Sequence, residues 1–208
     1  DQIRALHVDE ERVEAGMRAM LGDGPFATFV DIGTGTGRIL ELFADRYTKG
    51  LGFDTNQAML AYARSRLENA GLSHAQVRHG DLYNLPLDNG SCDAIVVHQV
   101  LHFLTSPAAA LAEFARVLAP HGRLLLVDFA PHDLAFLREQ HAHRLLGVSM
   151  DDLDGWMRQT DLVLTGRKSF APSEPSTEHL TVNLWLIQTQ QATASRLRVR
   201  RGNLEITS

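Results

Sequence analysis

A chain of 208 residues is the size of one ordinary α/β domain, and 44% hydrophobic with 22% charged residues is enough apolar material for a sizeable core. A formal net charge of −5 gives no overall electrostatic support to non-specific nucleic-acid or anionic-membrane binding, and the lone cysteine, Cys92, excludes an internal disulfide framework or a cysteine-rich metal site. No apolar run approaches the roughly 20 residues that span a bilayer, and the acidic, amphipathic start is not a signal peptide, so a cytoplasmic location is expected. The chain begins at Asp1 rather than at a methionine, which leaves open a partner domain upstream.

Asp9 to Leu21 places Val13, Met17, Met20 and Leu21 on one face of a helix, with Asp9 as cap and Gly22 as stop. Residues 1–21 are read as an N-terminal lid. The apolar run Phe26 to Ile32 then enters Gly33-Thr34-Gly35-Thr36-Gly37 and leaves as the amphipathic stretch Ile39 to Phe43. That is strand, tight turn, helix. Leu51 to Asp54 is a second strand, Asn56 to Ala70 a helix ended by Gly71, and Ala75 to His79 a short third strand.

Cys92 to His98 is a continuous apolar strand of the kind buried in a parallel sheet. Pro107 to Leu118 reads as a helix capped by Ser106, and Pro120-His121-Gly122 as a turn into a fifth strand, Arg123 to Phe129. Helices over Asp133 to Leu146 and Asp151 to Thr160 follow, then strands Leu162 to Phe170 and Leu180 to Gln188 around a proline-rich loop. Residues 1–190 are taken as one domain. The remainder, 191–208, carries Arg196, Arg198, Arg200 and Arg201 and reads as a basic, solvated or poorly ordered tail. Strands alternating with helices predict a doubly wound α/β sheet with helices on both faces.

The glycine turn is one residue shorter than the G-x-G-x-x-G dinucleotide fingerprint and lacks a phosphate-binding lysine. Asp31 stands just before it, and the second strand ends on Asp54, where a carboxylate can accept from two ribose hydroxyls. A negatively charged pocket suits a cationic sulfonium better than an anionic pyrophosphate. The plainer reading is a structural turn with acidic caps.

With Gly80-Asp81-Leu82 added, this set resembles the class I S-adenosylmethionine-dependent methyltransferases. The resemblance implies a Rossmann-like seven-stranded sheet, mostly parallel with an antiparallel last strand. It also implies S-adenosylmethionine as cofactor and S-adenosylhomocysteine as product. Carried onto this chain, Asp31, Gly33, Thr34, Gly35 and Gly37 lie against the methionine part of the cofactor. Asp54, with Thr55 beside it, holds the ribose, and Asp81 and Leu82 meet the adenine.

A narrower likeness comes from His98-Gln99-Val100-Leu101-His102, Val127 to Asp133, and Glu139 to Arg144. These are similar to the methyltransferase-like domains fused behind ArsR-type winged-helix regulators. Similarity to UbiE-like small-molecule methyltransferases is broader. The narrower likeness implies a possible upstream DNA-binding domain, and a homodimer is also open.

His98, at the carboxyl end of the fourth strand, is the catalytic candidate. Three roles are open to it: orienting the cofactor, acting as general base, or satisfying a local backbone group. His102 faces the same pocket if a helical turn intervenes, and His132, His141 and Arg144 are assigned to the substrate side. No metal is expected, because His141 and His143 at i and i+2 of one helix point apart. Cys92 alone cannot hold arsenic as the thiolate clusters of arsenite methyltransferases do, and it is expected to be a buried small residue.

The sequence therefore leads to methyl transfer to a small molecule. The alternative is a non-catalytic domain that senses S-adenosylmethionine or S-adenosylhomocysteine for an ArsR-type regulator. Nucleic-acid or protein substrates are opposed by the acidic balance and by the absence of an Asn/Asp-Pro-Pro-aromatic sequence after the fourth strand.

Overall fold

The two faces of the central sheet are both apolar, which is why its strands read as unbroken hydrophobic runs rather than as alternating ones. In the computed structural model, which describes residues 9–140, 143–172 and 180–191 (backbone only at 139 and 140), β1 (Phe26–Ile32) sends Phe29 to one core and Val30 to the other. The first core gathers Met17, Leu21, Phe43, Leu60, Val96 and Leu125; the second gathers Phe53, Ile95, Phe114, Leu126 and Trp185.

The remaining strands are β2 (Tyr47–Asp54), β3 (Ala75–His79), β4 (Cys92–His98), β5 (Leu118–Phe129), β6 (Leu162–Phe170) and β7 (Val182–Thr189). They lie in the order β3-β2-β1-β4-β5-β7-β6. All pairings are parallel except those of β7, which runs antiparallel to both β5 and β6. The expected mostly parallel, seven-stranded sheet with an antiparallel last strand is what the chain adopts. Because β1 pairs with β2 on one side and β4 on the other, the strand order reverses at β1, and a crevice opens beyond the carboxyl ends of these strands.

Helices cover both faces: α1 (Glu10–Leu21), α2 (Arg38–Leu42), α3 (Gln57–Asn69), α4 (Pro107–Val117), α5 (Phe136–Gln140) and α6 (Met150–Met157). In α1, the Asp9 carboxylate accepts from the Glu11 N–H at 3.1 Å, and Val13, Met17 and Leu21 are buried. Gly16 lets this helix seat directly on the Phe170 ring, since a Cβ there would stand 2.3 Å from Phe170 Cζ. Its apolar face is thus part of the first core.

Three elements differ from expectation. β2 starts four residues earlier, at Tyr47 rather than Leu51. The Pro120-His121-Gly122 segment lies inside β5 as an irregularity: Cys92 pairs with Leu118 and Ala94 with Arg123, so the intervening residues bulge. Of the helix expected over Asp133 to Leu146, the described residues form Phe136–Gln140. Beyond it the N–H groups of Arg144 and Leu145 donate to the His102 carbonyl, at 2.8 and 3.1 Å, instead of to a helical turn.

Candidate cofactor and acceptor site

The glycine turn is built to bring bare backbone to the crevice. Gly33, Gly35 and Gly37 have φ of +69°, +49° and +78°, the left-handed region that side chains disfavour. Nothing lies closer than 3.9 Å to where a Gly35 Cβ would sit, so open space faces that backbone. At Gly33 the added carbon would instead stand 2.3 Å from Val100, whose side chain closes the turn from the β4 side.

Four N–H groups of this turn are spent internally. Gly33 and Thr34 both donate to the Phe53 carbonyl (2.8 and 3.0 Å), Gly37 to the Thr34 carbonyl (2.8 Å), and Gly35 to Asp54 Oδ2 (2.8 Å). A turn arranged this way does not offer the backbone donors that cradle a pyrophosphate.

Asp54 is half-buried at the end of β2. Its second oxygen, Oδ1, accepts from the Asn56 N–H at 2.8 Å, so each carboxylate oxygen is anchored once and keeps further acceptor capacity. Thr55 beside it is exposed. Gly80 donates its N–H to the Asp54 carbonyl at 3.2 Å, which draws the loop after β3 alongside. There Asp81 is exposed with Oδ1 accepting from Tyr83 N–H at 3.0 Å, and Leu82 packs half-buried on the second core.

Asp31, 1% exposed, has no hydrogen-bond partner on either oxygen among the described residues. Burial pushes its carboxyl up to about 7, against the nearby Thr34 hydroxyl and with a further upward push from the Asp54 charge. Two acidic side chains, Asp31 and Asp54, thus stand beside the glycine turn.

His98 ends β4 half-buried, opposite Val127. The next residue, Gln99, is the one non-glycine among the described residues with positive φ, +56°, and its N–H donates to the Val127 carbonyl at 2.7 Å. That twist turns the chain out of the sheet beside His98. Strain of this kind gathers at functional edges, and no residue type in the sequence signals it.

His102 sits on the expected turn, a 3-10 segment over Leu101–Phe103, but is buried at 2% exposure. Its Nδ1 is 2.6 Å from Asp128 Oδ1, and its ring stacks on His143 at 4.1 Å. His132 is half-buried, with Nδ1 accepting from the Leu134 N–H at 3.2 Å. Burial holds its imidazole below the usual histidine range, and the neighbouring His102 adds to this. Arg144 is exposed, tied in through its backbone. His141 lies outside the described residues, as does the arginine cluster of the tail. Cys92 is fully buried, its thiol pushed up to about 11 by that burial.

A family model described as a methyltransferase domain matches residues 30–126, the stretch that contains the glycine turn, both acidic loops and His98. The match covers 97 of the 208 residues, somewhat less than half of the chain. Its sequence is 39% identical over 105 residues to an uncharacterized 37.1 kDa protein of a Streptomyces fradiae transposon, covering 49% of this chain and 30% of that one. It is 32% identical over 105 residues to the uncharacterized methyltransferase YcgJ of Bacillus subtilis, covering 50% and 42%. The chain thus spans less than half the length of these curated relatives. The crystal structure of YcgJ superposes with a TM-score of 0.71 at 18% identity, covering 86% of this chain and 97% of that one. Geranyl diphosphate C-methyltransferase of Streptomyces coelicolor, solved with Mg2+, geranyl diphosphate and S-adenosylhomocysteine, superposes at 0.73 with 16% identity and 86% and 77% coverage. Both structures show the same fold. The narrower likeness to ArsR-fused domains has no counterpart among these relatives.

Gln99, Val100 and Asp128, which the sequence reading quoted only within longer motifs, shape the candidate site. Only Asp128 carries a chemical type that could have pointed to it. No helix among the described residues is long and apolar enough to cross a membrane.

Proposed function

We propose that this domain transfers a methyl group from S-adenosylmethionine to a small-molecule acceptor. The observation that carries the reading is the electrostatics of the glycine turn: four of its N–H groups are spent, and the buried Asp31 and half-buried Asp54 are the charged groups beside it. Such a site favours a cationic nucleoside over an anionic dinucleotide.

Asp54 would hold the ribose diol, with Thr55 beside it; Asp81 and Leu82 would meet the adenine; and Asp31, Gly33, Thr34, Gly35 and Gly37 would hold the methionine part. S-adenosylmethionine, when bound, supplies an already activated methyl group, so the chain's task is alignment and exclusion of water. His98 is placed to take a proton from a hydroxyl or carbon acid, whereas an amine or thiolate acceptor needs no such base. His102, His132, His141 and Arg144 belong to the acceptor side in this reading, His102 through contact with its neighbours.

The test is calorimetric titration of the chain with S-adenosylmethionine and with S-adenosylhomocysteine. Micromolar binding of either supports the assignment. No binding of either means that the turn is purely structural.

A further inference from the structure

Beyond the methyl-transfer crevice, a cavity of about 380 Å³ opens at the same edge of the sheet, under the start of α6 and against β6 and β7. Strand register accounts for its lining. Arg167 pairs with Trp185 and Ser169 with Asn183, so four consecutive cross-strand positions present one face. Further along β7 that face is core, with Ile187 fully buried. At the edge it turns polar.

The spare hydrogen-bonding capacity around the cavity is of one sign. Asn183 is 2% exposed, and its Oδ1 is taken by the Ser169 hydroxyl at 2.6 Å, which leaves the amide N–H groups to offer. His132 accepts on Nδ1, so in the neutral ring Nε2 carries the proton, and that buried N–H has no partner among the described residues. The indole N–H of the fully buried Trp185 likewise has none among them. Arg167 is exposed, and among the described residues no carboxylate lies within ion-pair distance of it. No carboxylate is among the described lining residues. Buried donors without acceptors are destabilising, and a bound acceptor group would relieve that.

We propose that this cavity binds the carboxylate end of the methyl acceptor, with Arg167 as its charge partner and Asn183, His132 and Trp185 as neutral donors. The inference rests on the methyl-transfer reading above. β4, which ends at His98, is separated from β7 and β6 by two and three strand positions, about 10 and 14 Å at the usual spacing. The acceptor is therefore an elongated carboxylic acid whose far end is methylated near His98.

The test uses Trp185 as reporter in a Trp156→Phe background, titrated at constant ionic strength with sodium benzoate, neutral benzamide and inorganic phosphate. Saturable quenching by benzoate but not benzamide is expected. Arg167→Ala should weaken benzoate at least tenfold and leave S-adenosylhomocysteine binding within twofold, while Arg167→Lys recovers part of the loss. Benzoate binding that is unsaturable, equal in Arg167→Ala, or weaker than that of phosphate overturns the proposal. If benzoate binds and neither S-adenosylmethionine nor S-adenosylhomocysteine does, the cavity is an anion site but its assignment to a methyl acceptor falls with the cofactor reading. If the cofactor binds and benzoate does not, only the cavity assignment fails.

Discussion

Asp54 Oδ2 and the Gly35 N–H are 2.8 Å apart, so the carboxylate assigned to the ribose also fixes the shape of the glycine turn. One side chain thus links two parts of the site. Asp54→Ala removes the ribose acceptor and frees the turn together, and should weaken S-adenosylmethionine binding by about 1–3 kcal/mol. Asp54→Asn keeps one acceptor oxygen and should fall between. Calorimetry on folded variants checks this, and unchanged affinity in Asp54→Ala removes the ribose assignment.

Asp31 makes stability depend on pH in an unusual direction. Its carboxyl is raised to about 7 by burial, above the ordinary value of 3.8 that the unfolded chain retains. Between those values the folded state holds a proton that the unfolded state has lost, so stability falls as pH rises from about 4 to 7. Asp31→Asn abolishes this dependence and should stabilise the free protein at pH 8 by an amount on the order of 2–4 kcal/mol, with little effect at pH 4. The same variant should bind S-adenosylmethionine more weakly. Urea denaturation at both pH values measures the first effect and calorimetry the second; a pH-independent difference would show that folding does not raise the Asp31 carboxyl.

The alternation of strands and helices, the acidic ends of β2 and β3, and the burial of Cys92 were all legible, because each depends on local pattern or residue type. What the sequence hid depends on distant partners. Nothing in Asp133 to Leu146 announces that the His102 carbonyl will claim the N–H groups of Arg144 and Leu145 and end the helix early. Nor does a glutamine announce a positive φ: Gln99 is held at +56° by its bond to Val127 across the sheet, a tertiary constraint. The commitment of these four N–H groups was likewise invisible, since three of them donate to residues of β2.

Gly33 is the least replaceable position of the turn. A Cβ would stand 2.3 Å from Val100, and φ is +69°. Gly33→Ala should cost about 2 kcal/mol or more through strain and overpacking. Adding Val100→Ala removes the clash but not the unfavourable φ, so thermal unfolding of the double variant should show partial rescue. Full rescue would mean that the contact alone matters.

His98 stands where β4 meets the crevice, followed by the strained Gln99. For a hydroxyl or carbon-acid acceptor, His98→Ala should lower kcat about 10²-fold or more while changing S-adenosylmethionine affinity less than threefold. Loss of affinity with kcat intact would make His98 a cofactor-orienting residue. Unchanged turnover would take it out of the mechanism.

Asp128 carries more of the fold than its single charge suggests. It is fully buried and accepts from three donors: His102 Nδ1 (2.6 Å), the His102 N–H (3.3 Å) and the Phe129 N–H (2.8 Å). Together they lock the 3-10 segment after β4 against the end of β5, where the acceptor side begins. Asp128→Ala removes the acceptor that these donors share, and for the two His102 donors that costs about 1–3 kcal/mol each before relaxation. A net loss of about 3 kcal/mol is expected in urea denaturation. Asp128→Asn, which keeps an acceptor oxygen, should cost less. If Asp128→Ala loses under 1 kcal/mol, water reaches these donors and the segment is not held by this carboxylate; a large loss with a small effect in Asp128→Asn shows that the acceptor geometry, rather than the charge, positions His102.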